Sequence, residues 1–290
     1  MTPLSPEALP GDIQYLKLPR PEELFLGRAR RFRELAAGHP MGEFLEALGR
    51  LAEAQGLALG TFLSPAPEWC PAEVPLRAAS HERRPDWRDG LSLLVREVRK
   101  APWPEPAEAA LLSLADAGAA ELESLADGVL AGAVSPPSLA KASFVAAALQ
   151  VYFTAEAARL PAEAVARTRT GCPVCGSAPV AGVVLGDDRL RYLTCSLCGS
   201  EWNLARIQCW ACRSTGGISY LALSEDDGGL RAEACESCRG YLKLFYRERR
   251  PGADPLADDV ASLSLDFLAA EEGWARSGVN LFLLGEGEGT

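Results

Sequence analysis

Eight of the chain's nine cysteines fall between residues 172 and 238, as four C-x2-C pairs: Cys172/Cys175, Cys195/Cys198, Cys209/Cys212 and Cys235/Cys238. Two thiolates at this spacing sit on one tight turn and grip a metal ion from one side. Two such turns held by a hairpin supply four sulfurs at about 2.3 Å in a tetrahedron. Four pairs therefore predict two metal ions, each in a four-cysteine site. Thiolate tetrahedra suit iron and zinc alike, so the spacing leaves the metal open. Such a site is coordinatively closed, with no position left for substrate or an activated water. Structural support, one-electron transfer if the metal is iron, and partner recognition are the chemistries that remain.

Internal repetition says which pairs share a metal. The first half runs from a cysteine knuckle through the strand-like PVAGVVL, a turn at Gly186-Asp187-Asp188 and RLRYLT to a second knuckle. The second half runs from a knuckle through ISYLAL, a turn at Asp226-Asp227-Gly228-Gly229 and LRAEA to a knuckle. Short β-prone runs around Gly/Asp clusters are hairpin signals. Sequential pairing is the simplest reading: Cys172, Cys175, Cys195 and Cys198 in one site, Cys209, Cys212, Cys235 and Cys238 in the other. A crossed arrangement is the alternative, and it would entangle the two hairpins. A redox dithiol of the thioredoxin type needs a strand before the motif and a helix starting at it, whereas turn residues and short strands flank these pairs. Gly176 and Gly199 follow their knuckles directly, where a tight turn favours positive φ. Arg213 and Arg239 stand at the equivalent places in the second half. Surface charge is their simplest role, with a cation tuning the thiolates as the other.

The elements that must carry this region come mostly before it. The chain has 290 residues and 48% hydrophobic content, enough for two or three domains with a real core. Its net charge of −10 argues against sequence-independent nucleic-acid binding, which rests on phosphate neutralisation. No apolar run reaches the length of a membrane span. The start, MTPLSPEALPG, has no basic and apolar leader pattern, so no signal peptide is expected. Metal-type cysteine spacing then points to the cytoplasm.

Apolar periodicity predicts helices over Glu22–Ala37, Met41–Gln55, Trp87–Lys100, Ala107–Leu130 and Leu139–Leu160. Gly118 interrupts the fourth, and Ser135 or Ser138 caps the last. The run Arg28, Arg30, Arg31 and Arg33 reads as a solvated helix face, with a docking patch as the alternative. His39, before Pro40, reads as a loop or capping residue. Cys70 stands alone in a proline-punctuated connection over 64–86 and reads as a half-buried small residue, not a nucleophile. A final amphipathic helix is expected over Leu256–Glu272, with Asp258 and Asp259 in its first turn favoured by the helix dipole. The chain contains no GxGxxG, P-loop, HExxH or GxSxG motif, and no catalytic constellation is legible.

The string GCPVCGSAPV, RYLTCSLCGSEW, CWAC, RAEACESCRGYLK and PLADDVASLSLDFLAAEEGW resembles the formate dehydrogenase accessory protein FdhE family. The similarity is close over 171–284 and weaker through GHPMGEFLEALGRLAEAQ. It implies a multi-domain α plus small β fold, in which an N-terminal all-α domain precedes two rubredoxin-like metal ribbons and a C-terminal helix. The expected units are 1–168, 169–207, 208–253 and 254–290, the last packing on the body. The resemblance further implies iron binding and a chaperone-like, non-enzymatic role in the maturation of respiratory formate dehydrogenase, with that enzyme's catalytic subunit as partner. The third knuckle, CWAC, departs from the polar middle residues expected there, which puts a redox role for that knuckle in doubt but not its ligand role. A zinc-ribbon adaptor in transcription or RNA metabolism is the alternative function, disfavoured by acidity and by the lack of interleaved aromatic and basic residues.

Overall fold

The computed structural model describes residues 13–62, 73–167, 170–186, 190–224 and 228–285. Cys70, the hairpin tips at Asp187-Asp188 and Asp226-Asp227, and residues 286–290 lie outside the described residues.

Helix α1 (Pro21–Ala36) opens on a proline, whose missing N–H is harmless in a first turn, with Glu22 and Glu23 beside it. It lays Phe25, Ala29 and Phe32 against α2 (Gly42–Ala58). Then come α3 (Trp87–Val98), α4 (Glu105–Asp116), α5 (Ala119–Ala131) and α6 (Leu139–Ala157). The expected helix over Ala107–Leu130 is thus two helices, and Gly118, in an extended conformation, makes the break. Helix α6 is apolar almost all round, and α2, α3, α4 and α5 pack about it. The expected serine cap is not made: the Ser138 side chain bonds none of the first α6 amides, and Ser135 Oγ meets Ser138 Oγ at 3.2 Å instead.

The cysteine region builds one sheet. Its strands are β1 (Leu16–Lys17), β2 (Pro179–Leu185), β3 (Leu190–Cys195), β4 (Glu201–Asn203), β5 (Ile218–Leu221), β6 (Leu230–Cys235), β7 (Gly240–Tyr246) and β8 (Ala275–Arg276). Their order is β1-β4-β3-β2-β7-β6-β5, with β8 alongside β7. Each half is antiparallel, and the halves join where β2 runs parallel to β7 with Gly182 opposite Leu244. Gly182 is needed for that approach, since a Cβ there would fall 2.5 Å from Leu244 Cδ2. The N-terminal stretch contributes β1 to the edge of the sheet through Leu16 and Trp202.

The expected C-terminal helix is also divided, into α7 (Pro255–Val260) and α8 (Leu263–Glu271). Asp254 caps α7, accepting from the Leu256 and Ala257 amides at 3.1 and 2.9 Å. Buried Lys243 explains the break, because its Nζ takes the carbonyls of Asp259 and Ser262 at 2.9 and 3.0 Å. Helix α7 packs on α1 and β2. This contact overturns the solvated-face reading for half of the basic run. Arg28, 2% exposed, donates to Asp254 at 3.1 Å, and Arg31 grips buried Asp258 with bonds of 2.8 and 2.7 Å. Arg30 is exposed, as expected. His39 is the loop residue that its setting before Pro40 suggested. Its Nδ1 accepts from the Met41 amide at 3.1 Å, and Nε2 therefore donates to Ala261 O at 3.0 Å.

Candidate metal centres

The four knuckles share one local design. The amide of Cys172 donates to Ser177 O at 2.9 Å, that of Cys195 to Ser200 O at 2.9 Å, and that of Cys209 to Ser214 O at 2.8 Å. The residue after each second cysteine is left-handed: Gly176 at φ 79, Gly199 at 70, Arg213 at 68 and Arg239 at 55. For arginine this conformation costs roughly 1–2 kcal/mol more than for glycine. Arg239 has compensating contacts. Its guanidinium lies 3.8 Å over the Trp274 ring and donates to Glu272 O and Gly273 O at 3.2 and 3.1 Å. Arg239 is thus an exposed charge, as expected, that also clamps the end of α8 to the fourth knuckle. In the third knuckle, Trp210 Nε1 donates to Ser277 Oγ at 2.8 Å and ties that turn to the stretch after β8.

Sequential pairing holds. Cys172 Sγ lies 3.6 Å from Cys198 Sγ, and Cys175 Sγ 3.4 Å from Cys195 Sγ. In the second set the separations are 3.7 Å for Cys209 and Cys238 and 3.6 Å for Cys212 and Cys235. All four sulfurs of each set lie within 4.8 Å of one another. A tetrahedron with bonds of about 2.3 Å has edges of about 3.8 Å. Both sets can therefore hold one metal ion each, and all eight cysteines are free thiols.

Four thiols this close cannot all ionise without a cation between them. Burial, reinforced by neighbouring thiols, pushes Cys172 and Cys195 well above the ordinary range. At Cys175 burial acts in the same sense, but hydrogen bonds from Cys172, Cys195 and Cys198 outweigh it and hold the thiol well below that range. Burial pushes Cys238 up to about 12. Cys235 falls to about 7, because the Cys238 amide and the Cys212 thiol overcome burial. A metal cation removes the conflict by stabilising every thiolate at once.

The two sets differ in setting. All four cysteines of the first are buried, and they belong to the same apolar core as α1–α6. Val74 to Ala78 crosses its first knuckle, with the Leu76 amide on Val174 O and the Ala78 amide on Cys175 O, each at 2.9 Å. In the second set Cys212 and Cys238 are exposed. Cys70 is outside the described residues, and His81 is engaged elsewhere, its Nε2 3.0 Å from Tyr152 Oη.

Matches to known proteins run almost end to end. Three family models cover the chain consecutively: FdhE, N-terminal, over residues 13–170; FdhE, central domain, over 171–206; and FdhE, C-terminal domain, over 207–283. The chain belongs to the FdhE family. An FdhE homolog of Edwardsiella ictaluri is 39% identical over 285 residues, covering 94% of this chain and 92% of the relative. Protein FdhE of Escherichia coli O127:H6 is 37% identical over 297 residues, covering 95% and 93%. The crystal structure of the FdhE protein from Pseudomonas aeruginosa superposes with a TM-score of 0.81 at 35% identity, covering 95% of this chain and all of that one. The helical region, the sheet with two four-cysteine clusters and the C-terminal helices thus form the FdhE fold.

Several residues that set this site were not legible as such. Arg191, 1% exposed, lies on β3 and reaches Glu233 on β6, while also donating to Ala205 O and Gln208 O at 2.6 Å. It fastens the linker between the two halves and spans their junction. Burial pushes the Glu233 carboxyl up, against the opposing pull of Arg191. Asp259, fully buried, holds Lys243 at 3.2 Å, Asn280 at 2.8 Å and Arg276. For Arg191 and Glu233 the available signal was a lone charge at an inward strand position, which only gains meaning once its cross-sheet partner is known.

Proposed function

We propose that each four-cysteine set binds one metal ion, iron or zinc. One set is Cys172, Cys175, Cys195 and Cys198, and the other is Cys209, Cys212, Cys235 and Cys238. We further propose that the protein is a non-catalytic, chaperone-like accessory factor of the cytoplasm that binds the catalytic subunit of a respiratory formate dehydrogenase during its maturation. Regions 1–168, 169–207, 208–253 and 254–290 are its proposed units. The observation that carries this reading is the pair of four-sulfur clusters set into a chain that matches the FdhE family along nearly its whole length. A four-thiolate metal site has no open coordination position, which favours recognition over hydrolytic chemistry. Among the described residues, no single helix is long and apolar enough to cross a membrane.

The test begins with elemental analysis of freshly purified, reduced protein from its native host. About two equivalents of iron plus zinc are expected, and less than one overturns the metal assignment. Affinity capture from the same host should retain the formate dehydrogenase catalytic subunit, and deleting the gene should abolish formate oxidation. Failed capture together with normal formate oxidation in the deletion strain overturns the accessory reading.

A further inference from the structure

A groove of about 690 Å³ runs between α1 and the sheet, and the segment leading into α7 belongs to its lining. Its floor is the sheet face that carries Lys17, Glu201 and Thr194 in one cross-strand row. Six cations and four carboxylates line it, in a chain of net charge −10. The four carboxylates are each engaged: Glu201 with Lys17 at 3.7 Å, Glu23 with Arg20 at 3.6 Å, Asp254 with Arg28 at 3.1 Å and Glu34 with Arg31 at 3.1 Å. Arg30 and Arg247 are left with no carboxylate at ion-pair distance among the described residues. Moreover, Arg247 Nε and Thr194 Oγ1 are buried and have no hydrogen-bond partner. Thr194 is only 3% exposed. A buried donor without an acceptor costs about 1–3 kcal/mol, and both residues belong to the lining of one basic groove, where a ligand can supply acceptors.

We propose that this groove binds an extended, carboxylate-bearing segment of a protein partner. The charge pattern selects that occupant. Glu201 and Glu34 repel a compact multiply charged anion such as phosphate. An extended peptide can instead set its carboxylates on Arg30 and Arg247, its carbonyls on Thr194 and its amides beside Glu201. The groove also adjoins the first cysteine set. Thr194 precedes Cys195, and Gly199, which follows Cys198, packs against Leu24 of α1, its absent Cβ falling 3.2 Å from Leu24 Cδ2. Identifying the partner as the formate dehydrogenase catalytic subunit rests on the function proposed above; the groove's preference for acidic segments does not.

The test uses full-length, metal-loaded protein and two probes, fluorescein-labelled hexaglutamate and inorganic phosphate, beside capture of the catalytic subunit. The double variant R30E/R247E is expected to weaken hexaglutamate binding at least about tenfold, with metal content and the Arg31–Asp258 contact intact, and added salt to weaken wild-type binding. T194V, nearly isosteric, is the check against misfolding and should weaken the same binding about threefold or more. Hexaglutamate binding that ignores both variants overturns the proposal, as does phosphate displacing the peptide at equal concentration. Subunit capture that is lost in R30E/R247E supports the groove as the partner's dock. Capture that persists undiminished in that variant overturns the groove as the catalytic subunit's dock and leaves the accessory function standing. Variant-sensitive hexaglutamate binding without any subunit capture by the wild type supports the groove and removes the formate dehydrogenase partner.

Discussion

Gln150 donates from Nε2 to the carbonyl of Ser196 at 2.8 Å. One residue lies in the middle of the central helix α6, and the other lies inside the second knuckle, between Cys195 and Cys198. Gln55 on α2 completes the link, donating to Gln150 Oε1 and Ala147 O at 2.9 Å each. The first sulfur cluster is therefore hydrogen-bonded into the helical core as well as packed on it. Replacing Gln150 by leucine strands both the Ser196 carbonyl and one Gln55 bond, at a cost of about 1–3 kcal/mol. The expected outcome for Q150L is a lower urea midpoint and faster chelator-driven metal release from the first set only. Unchanged release would show that the link does not bear on the knuckle.

The difference in burial between the two sets orders metal loss. Cys212 and Cys238 are open to solvent, and the first set is closed. A competing chelator is expected to remove one equivalent quickly and the other slowly, and C238S is expected to erase the fast phase alone. C198S disturbs a cluster shared with the helices, so the melting temperature of the helical region should fall with it. Two equivalents leaving in a single phase would contradict this order. Protons compete with metal for thiolates, so both affinities fall as pH falls.

Contact between α1 and α7 rests on two ion pairs. Asp258 has no exposed surface, and Arg31 holds it with two bonds. Breaking such a pair from one side leaves a buried charge and costs about 3 kcal/mol or more. R31A, which strands the buried Asp258 carboxylate, is expected to lose that much stability in denaturant titration. R30A, on the exposed side of the same helix, is expected to change it by less than about 0.5 kcal/mol. Equal effects would mean that the basic run acts as a uniform surface.

His81 supplies a pH dependence. Burial against Tyr152 and Phe153 lowers its pKa from the usual value, opposed by the nearby Glu156 carboxylate. A lowered folded-state value means that the unfolded chain takes up the proton first. Stability is then complete above about pH 6.5 and is lost as pH falls through the depressed value. H81Q is expected to flatten stability below about pH 6.5, measured as the urea midpoint in the presence of excess metal. An unaltered slope would assign the acid sensitivity to other groups.

The residues alone determined the chemistry and its grouping. C-x2-C spacing is a local constraint, satisfied within one turn, and the repeated hairpin pattern makes pairing with the next one in sequence the simplest arrangement. That is why Cys172, Cys175, Cys195 and Cys198 group together on spacing and repetition alone. Helix positions in the first half were likewise legible, because apolar periodicity is local, and Gly118 marked its break in the chain itself. What tertiary structure decided were the long-range pairings. Nothing local shows that β2 and β7 run side by side through Gly182, that Leu16–Lys17 extends the sheet, or that Lys243 divides the C-terminal helix by taking its carbonyls. Arg28 and Arg31 look like surface charges in sequence, because a charge declares its burial only when its partner, here on α7 more than 220 residues away, comes into reach. The same holds for the first sulfur cluster. Its ligands are written in the spacing, but its enclosure by the helical core through Gln150 and Ser196 exists only in the folded chain.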